Sequence, residues 1–386
     1  MSLQIFSHAE QDFAWLNEST QKPPLAIEFH QHLSAEQVLR LAHQNTATVW
    51  TGDFQQAKQV LSALKKRVRN GKAKKPLLMP SADGTAAEKA AFFHQYRMQQ
   101  AQQSRLINML AVAVQPDFSL ELNRAPNVAN ALHEALAENA DLAARDTPFL
   151  LPLNRLLGFI GAHEWHKKGV YLSVLQDKIH VPFGVFSPLR GEYLDLLAQA
   201  LQDAQPKNLQ TAWDIGTGSG VLAAILAKAG LNVVATDTNP RALNCSAANL
   251  TRLGLDEKVT LKQQDLFPDG TADLIVCNPP WLPAKPTSAI ETALYDPDSS
   301  MLKAFLHGAK SRLNPHGEAW LIMSNLAELL GLRSPDFLAE QFAQAGLQVV
   351  AKLDTRPTHT KAQLADDPLA FARQNEITSL YRLTAR

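Results

Sequence analysis

Short apolar runs alternate with amphipathic helical stretches through the second half of the chain. The predicted strands are 211–215, 232–237, 259–264, 272–277, 318–323, 347–353 and 377–383. The predicted helices between and before them are 193–203, 221–229, 241–253, 299–312 and 336–345. Strands that alternate with helices predict an α/β fold, in which a mostly parallel sheet has helices on both faces. Because no clear helix joins the last two strands, we expect an antiparallel strand at the C-terminal end of this sheet.

The first third of the chain shows shorter mixed α/β units. Its predicted strands are 25–29 and 47–51, and its predicted helices are 34–43, with Ser34 as the cap, 54–68 and 86–110. A polar stretch at 139–147 is typical of a linker, and a helix (153–164) and a strand or hairpin (171–181) follow it. We therefore expect a smaller N-terminal α/β domain at 1–138, a linker helix and hairpin at 139–185, and a second domain at 186–386.

Composition narrows the class of protein. The chain has 386 residues, with 37 Lys plus Arg against 37 Asp plus Glu, so it is not a generally cationic nucleic-acid coat. Its apolar stretches fall short of the roughly 18 residues that a membrane span needs, and no signal peptide is readable at the start. Two cysteines, Cys245 and Cys277, argue against a disulfide framework and a thiolate zinc site. We expect a soluble cytoplasmic protein without a metal.

Net neutrality conceals one local concentration of positive charge. Seven cations follow one another closely, namely Lys65, Lys66, Arg67, Arg69, Lys72, Lys74 and Lys75. Such a run is most often a solvated surface. The alternative is a patch that faces the phosphates of RNA, since bound Lys and Arg release the counterions of a polynucleotide.

A glycine-rich segment at 214–220, which reads DIGTGSG, lies where a predicted strand ends and a helix begins. Glycines permit the tight turn and a close ligand, and the helix N-terminus offers unpaired N–H groups. Asp237 follows at the end of the next strand, where a carboxylate can accept hydrogen bonds from both ribose hydroxyls. Asp265 ends the third strand and is placed to meet an adenine edge.

The acid ahead of the glycines separates two classes of ligand. The dinucleotide fingerprint G-x-G-x-x-G/A is not matched, because Val221 stands at its third position. Asp214 would repel a pyrophosphate but suits an ammonium group, so a nucleoside that carries an amino acid is favoured. A structurally accidental grouping of acids at three successive strand ends is the weaker alternative.

Residues 278–281, which read NPPW, follow the fourth strand. Two prolines fix the backbone and remove two N–H donors, which leaves carbonyls free beside the side-chain oxygen of Asn278. Such acceptors can hold an –NH2 group whose lone pair is otherwise delocalised and direct that lone pair at an electrophile. Trp281 offers a flat face for a planar substrate. A stiff surface turn with a packing tryptophan is the structural alternative.

On these two motifs, residues 184–386 resemble the class I S-adenosyl-L-methionine-dependent methyltransferases with an N/D-P-P-F/Y/W signature. The resemblance implies a Rossmann-like seven-stranded domain, a metal-free in-line methyl transfer and S-adenosyl-L-methionine as cofactor. It implies cofactor-binding residues Asp214, Gly216, Thr217, Gly218, Gly220, Asp237, Asp265 and Leu266. It implies catalytic residues Asn278, Pro279, Pro280 and Trp281.

The family leaves the methyl acceptor open. The segment 184–187 and an N-terminal α/β domain resemble the ribosomal RNA guanine methyltransferases, so we expect an exocyclic amino group of an RNA base and substrate recognition by the N-terminal domain. Leu282-Pro283 instead resembles the protein-glutamine methyltransferases of the release-factor type, whose partner would be a protein substrate or the ribosome. A third hypothesis is a nucleic-acid-binding protein with an inactive methyltransferase fold. The presence of both Asp237 and Asn278 weakens it, because an inactive copy could lose these residues.

Overall fold

The computed structural model of the chain describes residues 4–16, 21–71, 79–81, 83–136, 146–188, 191–204, 209–287, 289–357 and 367–386. The chain forms two compact units. The first comprises Met1–Leu77 and His94–Lys167, and the second comprises Leu78–Phe93 and Lys168–Arg386. Each unit is built around its own sheet.

The first unit contains a six-stranded mixed sheet in the order β1-β2-β6-β5-β4-β3. Its strands are β1 (Gln4–His8), β2 (Gln11–Trp15), β3 (Ala26–His30), β4 (Thr46–Trp50), β5 (Leu110–Val114) and β6 (Phe149–Pro152). Its helices are α1 (Ala35–His43), α2 (Phe54–Asn70), α4 (Ala129–Leu136), α5 (Leu153–Lys168) and most of α3 (Ala86–Ile107), whose first residues belong to the second unit. The predicted α/β character of this part is confirmed.

Side-chain caps fix where the first helices begin. Ser34 forms a reciprocal capping box with Gln37, as the cap prediction requires. Asp53 caps α2 by accepting a hydrogen bond from the backbone N–H of Gln56. Its two carboxylate oxygens also accept hydrogen bonds from Nε and Nη2 of Arg124. The hydrogen bonds from Arg124 lower the pKa of Asp53 to about 2, so this cap stays ionised.

The second unit contains a seven-stranded sheet in the order β11-β10-β9-β12-β13-β15-β14. The strands are β7 (Val170–Leu172) and β8 (Asp177–Ile179), which form a separate hairpin, then β9 (Thr211–Ile215), β10 (Asn232–Asp237), β11 (Val259–Gln263), β12 (Ala272–Cys277), β13 (Leu313–Ser324), β14 (Leu347–Thr355) and β15 (Thr378–Ala385). The helices are α6 (Glu192–Asp203), α7 (Val221–Lys228), α8 (Pro240–Arg252), α9 (Ser300–Ala309), α10 (Leu326–Leu329), α11 (Phe337–Gln344) and α12 (Ala370–Arg373).

This sheet confirms the predicted fold class. Strands β9 to β13 pair in parallel, whereas β15 is antiparallel to both of its neighbours. Alternate residues of β9 enter opposite cores: Ala212 joins the apolar cluster with α6 and α7, and Trp213 joins the cluster with α9 and α11. A sheet buried on both faces holds its strands rigidly, and the carboxyl ends of its parallel strands lie at one edge.

The structure corrects several of the predicted elements. The predicted helix 86–110 ends at Ile107, and the apolar run Leu110–Val114 is instead a buried central strand. Strands β1, β2 and β6 and helix α4 were not predicted. Part of the predicted linker, 139–145, lies outside the described residues. Helix α5 groups with the first unit and the β7–β8 hairpin with the second.

The described helices include none that is both long and apolar enough to cross a membrane.

Candidate functional site

A cavity of about 580 Å³ opens at the carboxyl ends of β9, β10 and β12 within the second unit. It is lined by all of the predicted site residues except Asp214 and Gly220. The sheet brings these residues together because they follow the four neighbouring parallel strands β11, β10, β9 and β12, whose carboxyl ends meet at one edge. The strand order therefore assembles residues that are up to 67 positions apart, from Asp214 to Trp281.

The glycine loop between β9 and α7 depends on left-handed backbone at three positions. Gly216, Gly218 and Gly220 have φ angles of +74°, +55° and +80°. No described atom lies within 4 Å of where a Cβ on residue 218 would stand, whereas a Cβ on residue 220 would meet Ser246 at 3.1 Å. Gly218, which lines the cavity, thus borders open space, and Gly220 allows α8 to pack closely.

Asp214 lies beneath this loop and is fully buried. Its Oδ2 accepts hydrogen bonds from the Thr217 hydroxyl at 2.7 Å and the Ala223 backbone N–H at 3.0 Å. Its Oδ1 is buried and has no hydrogen-bond partner among the described residues. Burial, with a smaller contribution from the charge of Asp237, raises the pKa of Asp214 to about 7.

Asp237 is held at the end of β10 by two backbone donors. Its Oδ2 accepts from the Gly218 N–H and its Oδ1 from the Asn239 N–H, both at 2.9 Å. These bonds tie the carboxylate to the glycine loop and fix its orientation at the cavity wall. Each oxygen keeps a further lone pair for a ligand hydroxyl.

The third strand end contributes a strained leucine. Leu266 has a φ of +53°, which is uncommon for a residue with a bulky side chain. Its carbonyl accepts from the Thr236 hydroxyl at 2.7 Å, and this bond holds the unfavourable conformation in place. The neighbouring Asp265 is exposed and also lines the cavity.

The NPPW turn is internally braced after β12. The indole Nε1–H of Trp281 donates to Asn278 Oδ1 at 2.9 Å. The Trp281 ring also packs against both apolar clusters of this unit. The following residue, Leu282, is bridged to the Leu294–Asp296 segment through backbone hydrogen bonds. Asn278 therefore projects from a turn that is fixed on two sides.

Several cavity-lining residues have no local sequence signal. Tyr193, Tyr295, Arg373 and Glu376 line the cavity but follow no motif of the glycine-loop or NPPW type. All four residues of the segment 184–187, which the sequence did single out, also line the cavity. Cys277 precedes the NPPW turn and is fully buried, and its burial raises the pKa of the thiol, so it is part of the core.

A pair of histidines and the basic run lie in the first unit. His163 and His166 both place Nδ1 on the same carboxylate oxygen of Glu134, at 2.7 and 3.0 Å. In the basic run, Lys66, Arg67 and Arg69 are exposed on α2. Lys72, Lys74 and Lys75 lie outside the described residues.

The residues present fit S-adenosyl-L-methionine. The cavity offers a glycine cradle with open space at Gly218, a fixed carboxylate at Asp237 and, beneath the loop, the unsatisfied Oδ1 of Asp214. This donor and acceptor set matches a ligand with a ribose and an ammonium group better than it matches a pyrophosphate.

Comparison with known proteins finds similarity in the part of the chain that contains the cavity. Residues 177–352 match the family model of the methyltransferase small domain. A release factor glutamine methyltransferase from Rhodopirellula baltica is 33% identical over 190 residues, which cover 45% of this chain and 61% of that protein. A ribosomal protein uL3 glutamine methyltransferase from Bordetella pertussis is 38% identical over 112 residues, which cover 27% of this chain and 37% of that protein.

The solved structure of a ribosomal protein L11 methylase from Lactobacillus delbrueckii subsp. bulgaricus covers 56% of this chain and 91% of its own, with 20% identity and a TM-score of 0.38. This chain spans less than two thirds of the lengths of the Rhodopirellula and Bordetella relatives. The match of residues 177–352 to this family model confirms the predicted resemblance to S-adenosyl-L-methionine-dependent methyltransferases.

Proposed function

We propose that this protein is an S-adenosyl-L-methionine-dependent N-methyltransferase that modifies a planar –NH2 group, and that the group is the side-chain amide of a glutamine in a protein. The observation that carries the chemistry is the braced turn at 278–281, which presents Asn278 beside the cavity that fits the cofactor. The acceptor class is supported by the names of the relatives that match this domain.

The cofactor would be held by residues from three strand ends. Asp237 would accept hydrogen bonds from the ribose hydroxyls, and Asp265 and Leu266 would flank the adenine. The loop at Gly216, Thr217, Gly218 and Gly220 would enclose the amino-acid part, with Asp214 beneath its ammonium group. When bound, S-adenosyl-L-methionine supplies an electrophilic methyl group on a sulfonium sulfur.

The chain's own contribution to the reaction is orientation. Asn278 Oδ1 has one lone pair beyond the bond from Trp281, and the Pro279 carbonyl is a second acceptor in the same turn. These two oxygens would accept the two hydrogens of an –NH2 group and draw its nitrogen toward tetrahedral geometry. The lone pair, otherwise delocalised into the amide carbonyl, is then directed at the methyl group.

An amino group of an RNA base is the second candidate acceptor. Lys66, Arg67 and Arg69 form an exposed basic surface on α2 that would suit a polynucleotide. An N-terminal α/β unit also accompanies the methyltransferase domain, as the resemblance to ribosomal RNA guanine methyltransferases implies. Both acceptors carry a planar –NH2 group, so the Asn278 site would treat them alike.

One labelling experiment tests the proposal. The full chain is incubated with S-adenosyl-L-methionine labelled on its methyl group and with extract from cells that lack this protein. We expect label that is released by protease and survives ribonuclease. Asn278→Ala serves as control, since it should bind the cofactor normally and transfer label slowly. Wild-type protein that binds cofactor and labels only ribonuclease-sensitive material would replace the protein acceptor with RNA.

A further inference from the structure

One wall of the cavity lies beside the turn that would orient the acceptor. Residues 292–295, which read TALY and are called the TALY wall below, all line the cavity. Leu282 directly follows Trp281 in the sequence. Its N–H donates to the Leu294 carbonyl at 3.3 Å, and its carbonyl accepts from the Asp296 N–H at 2.9 Å. This main-chain pairing places the TALY wall against the NPPW turn, where the acceptor would be held.

The continuation of this segment meets the glycine loop. Met301 also lines the cavity, and its Cε lies 3.0 Å from the point where a Cβ on residue 216 would stand. The segment therefore extends from the NPPW turn to the loop that would enclose the cofactor. The TALY wall is the end of the segment that lies by the acceptor.

Hydrogen bonds on both sides hold the TALY wall in place. The N–H groups of Leu294 and Tyr295 donate to the Glu291 carbonyl at 2.9 and 3.0 Å. Asp296 is buried, and its carboxylate accepts from two backbone N–H groups at the start of α9, both at 3.0 Å. The wall is thus positioned before an acceptor arrives, so that little free energy is spent on ordering it when the acceptor binds.

Leu294 lies at the mouth of the cavity. It lines the cavity and yet is 44% exposed, and Phe186, which is 37% exposed, combines the same two properties. The other large apolar side chains that are exposed in the described part of the chain lie outside the cavity lining. Single exposed apolar residues are common, but one at the mouth of a site gains free energy when a ligand covers it. Leu294 is therefore accessible to the acceptor.

The charges around the cavity favour a polypeptide over a polynucleotide at this wall. Residues 292–295 include no charged side chain. Among the lining residues that the structure describes, three are acidic, namely Asp237, Asp265 and Glu376, and Arg373 alone is basic. Each nucleotide of RNA would bring a phosphate to this net negative surface, whereas a polypeptide brings neutral main chain and aliphatic carbon.

We infer that Leu294 is a specificity-determining residue that packs against aliphatic carbon of a polypeptide acceptor, beside the amide that is methylated. This inference rests on the proposed methyl transfer to a glutamine side chain. A glutamine carries its amide on two methylene groups, so aliphatic carbon necessarily accompanies the –NH2 group into the site. Leu294 thereby contributes to the affinity for the acceptor and takes no part in binding the cofactor.

The test compares leucine variants of the full chain. Leu294→Ser removes the apolar side chain, and Leu294→Met keeps one of similar size. Leu25→Ser is the matched control, because Leu25 is 76% exposed and lies in the first unit, outside the cavity lining. Methyl transfer is measured on dilution series of the protein fraction and of the RNA fraction from extract of cells that lack this protein. Cofactor affinity is measured in parallel by calorimetry.

We expect Leu294→Ser to raise the apparent KM for the protein fraction about five- to twentyfold, because an apolar contact is lost from the ground state and the transition state alike. Its kcat and cofactor affinity should stay close to those of Leu25→Ser, and Leu294→Met should recover most of the loss. Equal KM values for the two serine variants would overturn the inference. So would a rise in KM that is confined to the RNA fraction, or a loss of cofactor affinity as large as the rise in KM. A wild-type protein that transfers no label to either fraction would instead refute the proposed function.

Discussion

The indole Nε1–H of Trp281 donates to Oδ1 of Asn278 across 2.9 Å, within a single turn. Because an indole nitrogen can only donate, it must face the oxygen of the Asn278 amide and not the nitrogen. The bond therefore sets which way the amide is flipped and leaves one lone pair of Oδ1 for the substrate. A phenylalanine at position 281, as in other members of the signature, could not do this.

Trp281→Phe keeps an aromatic ring in the turn but removes the donor. We expect kcat to fall by about one to two orders of magnitude, since a misplaced acceptor costs orientation in the transition state. Affinity for S-adenosyl-L-methionine should not change. Single-turnover methyl transfer and calorimetry measure the two quantities separately. Trp165→Phe, on an exposed ring of α5, is the control and should have wild-type rates. An unchanged kcat in Trp281→Phe would show that Asn278 is oriented without the indole.

Asp214 should make the unliganded protein less stable as pH rises. Its pKa is raised from 3.8 to about 7 by burial, so the folded state holds this proton more tightly than the unfolded state does. The unfolded state therefore ionises first, and the free energy of unfolding falls between about pH 4 and pH 7. Asp214→Asn removes this titration.

Denaturant unfolding at pH 5 and pH 8, without cofactor, checks the sign for Asp214. From pH 5 to pH 8, the free energy of unfolding of Asp214→Asn should rise by a few kcal/mol relative to that of the wild type. This is the order of energy that corresponds to a three-unit pKa shift in a fully buried group. It should also bind S-adenosyl-L-methionine more weakly, because the ammonium group loses its partner. A stability difference that is the same at both pH values would contradict the raised pKa.

Gly218→Ala should weaken cofactor binding beyond its effect on stability. The φ of +55° costs an alanine about 1–2 kcal/mol, and the new methyl group would extend into open space from a residue that lines the cavity. We expect at least a tenfold loss of affinity in calorimetry. Gly254→Ala is the matched control: its φ is +65°, no described atom lies within 4 Å of the new Cβ, and residue 254 lies outside the cavity. Equal cofactor affinities in the two variants would mean that the backbone at Gly218 does not approach the ligand.

Charge reversal on α2 separates the two candidate acceptors. With Lys66, Arg67 and Arg69 all changed to Glu, methyl transfer to the protein fraction should keep its wild-type rate at every salt concentration. These side chains are exposed, and the ion pair between Arg67 and Glu36, at 3.8 Å, is weak. If the variant transfers less methyl than the wild type, and this deficit grows as the salt concentration is lowered, the basic surface takes part in RNA binding.

In the half of the chain that contains the candidate site, the positions of the strands could be predicted accurately from the sequence. Strands β9, β10 and β12 lie at the residues that were predicted for them, because each is an apolar run bounded by polar or glycine residues. In the first unit, strand Leu110–Val114 was not predicted, and the preceding helix was predicted to extend to Leu110. Periodicity cannot distinguish a short apolar strand from the end of a buried helix. Gln4–His8 is mostly exposed and offers no apolar pattern to detect.

The sequence by itself determined the glycine loop, the acids at successive strand ends and the NPPW turn, because these are local patterns whose chemistry depends on neighbouring residues. Only the tertiary structure decided that Arg373 and Glu376, which come nearly one hundred residues after Asn278, share a cavity with it. Only the structure joined Trp281 to Asn278 and left Oδ1 of Asp214 without a partner among the described residues. The physical reason is that pairing across a sheet and the burial of a single atom depend on how distant segments pack, and no local pattern records that packing.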